Sequence, residues 1–452
     1  MKSICRVLAL ILMITPWSAV LRGAEISAAE SGVGNETPVP VGAARIDITP
    51  PWPVRLAGYA KRQGSEWRVV KPLHARALAI GGDAAPGPVV LVTVELVGIT
   101  AALSDGLAEE LAASHGIDRA RLAVCAIHTH TGPAIDGLLP RGLKNVTAEE
   151  RAAIVRYTKW LRGRLLEVAT AALADRRPGR LAWGQGSAGF AANRRKIVDG
   201  KWAGFGFAPD APVDHALPVL IATDEQGGLR AVFTSYACHC TTDGGGNFIH
   251  PDWAGEASAK IERDHPGAVA LVGLGCAGDA RPDPGGSIEA AARHGEEVAA
   301  EIGRLMRSRL QGLGPVTKAN YRIVKLSLDQ NPPVKAAVTE STLGQKTEVP
   351  LPVEVWNFGG DLAMIFLGGE MTADYSLRLR RELDAGRIWV NGYSNNVPCY
   401  VASRRMYSEG GYEVDTSMTK YGWPGRLAIG TEDRIIAAVR EQVPASYSAS
   451  GN

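Results

Sequence analysis

Arg121-Leu-Ala-Val-Cys-Ala-Ile-His-Thr-His-Thr-Gly-Pro133 is an apolar run that breaks into two histidines and a Gly-Pro turn. The apolar part reads as a buried strand, and Gly132-Pro133 turns the chain away at its end. In an extended segment, residues two apart face the same side, so this strand end is expected to aim His128 and His130 into one pocket. Imidazole suits zinc, and catalytic zinc takes about three protein ligands while keeping a position for water. A lone His-x-His pair is equally compatible with the polar lining of a cleft.

The same pattern, an apolar strand ending in a small or polar loop, recurs along the chain. Residues 41–49, 77–80, 89–97, 217–222, 230–237 and 268–273 read as strands, and a strand-rich stretch begins near 321. Residues 104–115, 147–174, 252–264, 287–310 and 371–384 read as helices, the second opened by the capping-box pattern Thr147-Ala-Glu-Glu150. No repeat and no linker divides the chain. This alternation predicts an α/β fold: mixed β-sheets flanked by helices in a single catalytic domain.

The chain has 452 residues, 46% of them hydrophobic and 21% charged, enough for a large packed core. Its 49 basic and 47 acidic residues leave a net charge of +2 with no run of like charges, which argues against nucleic acid as a partner, since phosphate binding needs a concentrated basic face. Lys2 and Arg6 precede a short apolar run and small residues around Gly23 and Ala24, so residues 1–24 read as a secretory signal. A flexible leader is expected at 25–40, a catalytic domain at 41–443 and a disordered tail at 444–452. The mature chain, without a transmembrane span, is then secreted or periplasmic. In that compartment its cysteines, Cys125, Cys238, Cys240, Cys276 and Cys399, would form at most two disulfides and leave one free thiol.

Three further strand ends carry chemistry. In Tyr236-Ala-Cys-His-Cys-Thr-Thr-Asp-Gly-Gly-Gly-Asn247, His239 sits at the break; no Lys-Ser/Thr follows the glycines, so a nucleotide loop is excluded. Asp252, in His250-Pro-Asp252, is placed to cap a helix. Leu274-Gly-Cys-Ala-Gly-Asp279 offers Cys276, either a buried apolar thiol or a nucleophile. Glu370, after Gly368-Gly369, is either a metal ligand or an acid favouring the next helix N-terminus.

In this order the clusters resemble the catalytic domain of neutral (non-lysosomal) ceramidases, zinc amidases that cleave the N-acyl bond of ceramide. The resemblance spans residues 41–443. It rests on Val41-Gly-Ala-Ala-Arg-Ile-Asp-Ile-Thr-Pro-Pro51 before Gly58-Tyr59, His128-Thr-His130, Asn193-Arg194, His239-Cys-Thr241, Gly369-Glu370, and Ser394-Asn395 leading to Tyr400, with Tyr412 twelve positions on. It implies zinc held by His128, His239, Glu370 and Tyr400, with His130, Arg194 and Tyr412 as catalytic residues. Three departures stand out. Gly275 occupies the position of a family serine, Arg195 replaces the serine after Asn193-Arg194, and an acidic stretch becomes Tyr400-Val-Ala-Ser-Arg-Arg-Met-Tyr407. No C-terminal immunoglobulin-like domain is expected.

The function this implies is cleavage of an N-acyl (amide) bond by zinc-activated water, on a small-molecule or lipid-like acylated substrate. The rivals are a metal-dependent esterase or deacylase on another acylated compound, and a non-catalytic metal-containing binding protein.

Overall fold

A computed structural model describes residues 38–329 and 347–448. The expected signal, 1–24, and most of the expected leader lie outside the described residues. The quoted apolar run forms the strand Leu122–Ala126, at one edge of a sheet whose order continues Val89–Val94, His74–Ile80, Val39–Asp47, Arg177–Ser187, Ala216–Asp224, Leu229–Tyr236 and Val269–Leu274. A ninth strand, Gln311–Leu313, pairs beside Arg177–Ser187. The outermost pair at each end is parallel and the others are antiparallel, so the sheet is mixed, as expected.

These strands read as unbroken apolar runs because both of their faces are buried. Ala75, Ala77, Val90, Val92, Leu122 and Val124 pack beneath the helices Ala101–His115 and Ala148–Ala174. The alternate residues Leu78, Leu91, Ala123, Phe233 and Leu271 face a second sheet. That sheet runs Lys318–Ser327, Glu348–Phe358, Leu362–Leu367, Ile388–Asn391, and its Trp356, Phe366 and Trp389 complete this inner core. Phe233 and Trp389 stack with ring centroids 4.7 Å apart. The helices Ala373–Glu382 and Thr431–Arg440 cover the outer face of the second sheet. The result is four layers, helix–sheet–sheet–helix. The capping box at Thr147 is formed, with Glu150 reaching back to the cap. No helix of the described residues is long and apolar enough to cross a membrane. Residues Ala445–Tyr447 make a turn with Tyr447 buried.

One edge contact matters for the site. The loop after Ile388–Asn391 lies along the free edge of Leu122–Ala126 and imitates a neighbouring strand. Asn395 donates its N–H to the Val124 carbonyl (2.7 Å) and accepts the Val124 N–H through Oδ1 (3.0 Å), while Ala126 donates to the Tyr393 carbonyl (3.1 Å). Asn395 is itself held by buried Glu354, which accepts its amide (2.7 Å) and the Trp356 indole (2.7 Å). Burial pushes the Glu354 carboxyl up to about 8, against the pull of Arg119. Because the folded-state value lies above the unfolded one, the native state keeps a proton that the unfolded chain loses. This stabilisation is complete below about pH 4.5 and is lost as pH rises through 8. Glu354→Gln should flatten the fall in urea-denaturation stability between pH 5 and 8; an unchanged slope would assign it to other groups.

Candidate metal centre

The strand Leu122–Ala126 ends before the histidines, and His128 is not extended. Its φ is +60°, a conformation rarely held by non-glycine residues outside functional sites. The two imidazoles are therefore brought together by a left-handed kink, not by the two-residue period of a strand. Their Nε2 atoms lie 3.1 Å apart. His128 Nδ1 is 2.5 Å from the Val97 carbonyl. A carbonyl oxygen only accepts, so Nδ1 carries the hydrogen and Nε2 presents a bare lone pair. Gly58 packs on the other side of His130; its φ is +95° and a Cβ there would lie 2.6 Å from His130 Cβ.

His239 follows the strand Leu229–Tyr236 and is locked in the same way, its Nδ1 donating to the Ala277 carbonyl (2.7 Å). Glu370 follows Leu362–Leu367 through Gly369, which has φ +78° and no room for a Cβ against Val401 and Cys399. Glu370–Met371 then pairs in parallel with Tyr400–Val401, setting the carboxylate beside the phenol. Glu370 Oε2 lies 3.1 Å from His128 Nε2 and 3.4 Å from His239 Nε2, and Tyr400 Oη lies 3.2 Å from His239 Nε2. Burial alone would raise the Glu370 carboxyl, but His128 and His239 hold it well below the usual carboxylate range. Burial, followed by the Arg194 charge, lowers His239 to about 3.

These residues fit a divalent cation. Tetrahedral zinc, with bonds of about 2.0–2.1 Å, separates its donors by about 3.3 Å, and the three distances among these donors bracket that value. The Nε2 lone pairs of His128 and His239 face a carboxylate with no hydrogen assigned between them. His128, His130 and His239 also form a set, with ligand nitrogens within 4.8 Å of one another. His130 differs from the other two: its buried Nδ1 has no hydrogen-bond partner among the described residues, so no backbone carbonyl fixes its tautomer, and its Nε2 faces only the His128 Nε2 lone pair.

Arg194 lies on the strand Ala191–Val198, part of a hairpin with Lys201–Ala208 that the sequence reading left unassigned. Asp279 holds the strand in place, accepting from the Asn193 amide (2.8 Å), from the Ala373 N–H (2.8 Å) and, through its carbonyl, from the Arg194 N–H (2.9 Å). The guanidinium donates to His239 Nε2 (3.0 Å), Tyr400 Oη (3.1 Å) and Glu413 (3.0 Å). Tyr412 stands against Tyr400 and accepts from Lys420 Nζ (3.0 Å). All seven residues expected from sequence therefore meet in one place. Sequence reasoning missed Tyr393 and Tyr421, whose hydroxyls reach Glu370, and Lys420 and Glu413. Tyr393 was within reach, directly before the Ser394-Asn395 pair; nothing in Tyr421-Gly-Trp423 marks it.

Several expectations are corrected. The five described cysteines are all free and buried, because none is placed to bridge another. Burial pushes the Cys276 thiol far up, so it is a packed apolar group and not a nucleophile. Gly275 does not line the cavity at the histidines; it borders a separate small cavity with Asp214 and Trp389, and a Cβ would press on Ala237 at 3.1 Å. Asp252 is the first helical residue rather than the cap, and it accepts from the N–H groups of Trp253 and Asp243. Arg195 is buried and paired with Glu409 and Glu413; Arg404 and Arg405 are paired with Asp433, Asp374 and Glu409. The basic substitutions are thus neutralised and do not line the cavity.

Residues 40–282 match the family model described as neutral/alkaline non-lysosomal ceramidase, N-terminal. The chain belongs to this ceramidase family. Two solved structures share its fold. One is described as a ceramidase complexed with C2 (20% identity, 92% of this chain and 77% of that chain, TM-score 0.69). The other is the neutral ceramidase of Pseudomonas aeruginosa (20% identity, the same coverage, TM-score 0.70). No curated protein sequence matches the chain. Within the ceramidase-family fold the two candidate ligand sets separate experimentally. Elemental analysis should find about one zinc per chain in the wild type and in His130→Ala, and little in His239→Ala or Glu370→Gln. Equal loss in His130→Ala would favour the three-histidine set.

Proposed function

We propose that this chain is an exported zinc-dependent hydrolase that cleaves an N-acyl amide bond. The metal ligands are His128, His239, Glu370 and Tyr400, and the catalytic residues are His130, Arg194 and Tyr412. The observation that carries this reading is the placement of tautomer-locked and tautomer-free histidines at one point. His128 and His239 present fixed lone pairs, whereas His130 beside them is free to take and release a proton. The family membership supports an amide as substrate, and the basic and apolar pattern of residues 2–20 supports export.

A divalent cation held there supplies Lewis-acid polarisation of a carbonyl and acidifies water. The chain supplies the rest. His130 accepts the proton of the attacking water and delivers it to the leaving nitrogen. Tyr412 receives the Lys420 ammonium at its oxygen, leaving its own hydrogen free to donate to a developing oxyanion. Arg194 Nη1 donates to the His239 lone pair; once that lone pair is engaged elsewhere, this N–H becomes available to the same oxyanion. An apolar slot of Ile135, Leu138, Leu139 and Leu143 opens beside His128, Glu370 and Tyr421 and receives the acyl arm. It is narrow, about 40 Å³, so it admits the carbons next to the carbonyl, and a longer chain requires the leucines to part.

The test is a hydrolysis panel of N-acyl amides and matched O-acyl esters on the zinc-loaded protein. Amide cleavage is expected, and His130→Gln should lower kcat by about 10²–10⁴ while zinc content stays unchanged. Cleavage of esters alone would indicate a deacylase, and zinc without turnover of either a binding protein.

A further inference from the structure

The second arm of the substrate has its own cavity. A space of about 440 Å³ opens from His130, Tyr400 and Tyr412 and is lined by Arg194, Arg281 and Lys420, with no carboxylate on its wall. Arg194 is neutralised by Glu413. The other two cations are not. Among the described residues Arg281 bonds only to the Pro282 carbonyl (3.3 Å), and Lys420 only to the Tyr412 hydroxyl (3.0 Å). Neither forms an ion pair, whereas Arg194, Arg195, Arg404 and Arg405 around them all do. Two cations face one cavity without an ion-pair partner, Lys420 feeling the Glu370 charge but not pairing with it, and a cleft of one sign concentrates ligands of the other. The cavity borders His130, the group proposed to protonate the leaving nitrogen, and it meets the apolar slot at His130, Tyr400, Tyr412 and Lys420.

We infer that the amine portion of the substrate carries an anionic group, a carboxylate or sulfonate, held by Arg281 and Lys420. This rests on the amide-hydrolase reading and narrows its substrate to N-acylated amino acids and their acidic analogues rather than neutral N-acylated amino alcohols. Guanidinium and ammonium donors give charge-assisted hydrogen bonds to such a group, and a neutral hydroxyl leaves both cations unpaired.

The experiment compares N-butanoylglycine, N-butanoyltaurine and N-butanoylethanolamine on the full zinc-loaded chain, so that only the amine side varies. The two anionic amides should show kcat/KM at least about tenfold above the neutral one, the worth of one charge-assisted hydrogen bond. Arg281→Gln and Lys420→Gln should each lower the anionic-to-neutral ratio by about as much. A neutral amide cleaved as well as the anionic ones, or a ratio unmoved in both variants, overturns the inference. If no amide is cleaved, the amide reading fails by itself, and calorimetric binding still decides the charge preference. N-butanoylglycine binding at least about tenfold tighter than N-butanoylethanolamine supports the anionic site, and equal binding overturns it.

Discussion

Two backbone carbonyls govern this site. Val97 and Ala277 each accept the Nδ1 hydrogen of one histidine, and so decide that the Nε2 atoms of His128 and His239 carry lone pairs directed at the Glu370 carboxylate. Neither carbonyl can take the opposite role, so the tautomers are set by the fold and not by the side chains themselves. The rest of the scaffold serves this arrangement. The left-handed kink at His128 swings its ring onto Val97, the Asn395 loop closes the edge of the strand that delivers it, and Gly369 lets Glu370 pass close to Tyr400. Positive φ values at His128, Asp252, Tyr393 and Asn395 are conformations that fold energy must hold in place, and His128 and Tyr393 lie ring to ring.

The free histidine draws its meaning from the contrast. His130 shares the cluster but has no carbonyl on Nδ1, and its imidazole is lowered well below the usual histidine range by burial and then by His128. A group in that state is neutral, and no backbone carbonyl holds its tautomer. Around it the electrostatics are divided: Glu413 serves Arg194 and Arg195 together, while Arg281 and Lys420 face open space.

Much of this was legible in the residues. The strand 217–222, the helix beginning at 252 and the capping box at Thr147 followed from periodicity and cap chemistry, which act over a few residues. His128, His239 and Glu370 were found because each ends a strand or opens a turn, where side chains leave the core, and Tyr400 through the family resemblance. What escaped depends on distant contacts. The strand bearing Arg194 pairs with a partial β-bulge and an exposed Phe205–Phe207 edge that mimics no standard pattern. The cysteine count pointed to bridges, but burial in separate core positions overrules arithmetic. Gly275 drew attention as a lost hydroxyl, yet its Cα faces a different cavity, and no spacing rule reveals which way a loop turns.

The central claim is that two imidazoles, not three, hold the metal. X-ray absorption at the zinc edge of the loaded protein counts imidazole ligands through their multiple-scattering features. The account predicts two imidazoles with two oxygen donors, a pattern unaltered in His130→Ala; three imidazoles in the wild type, reduced to two by that substitution, would contradict it.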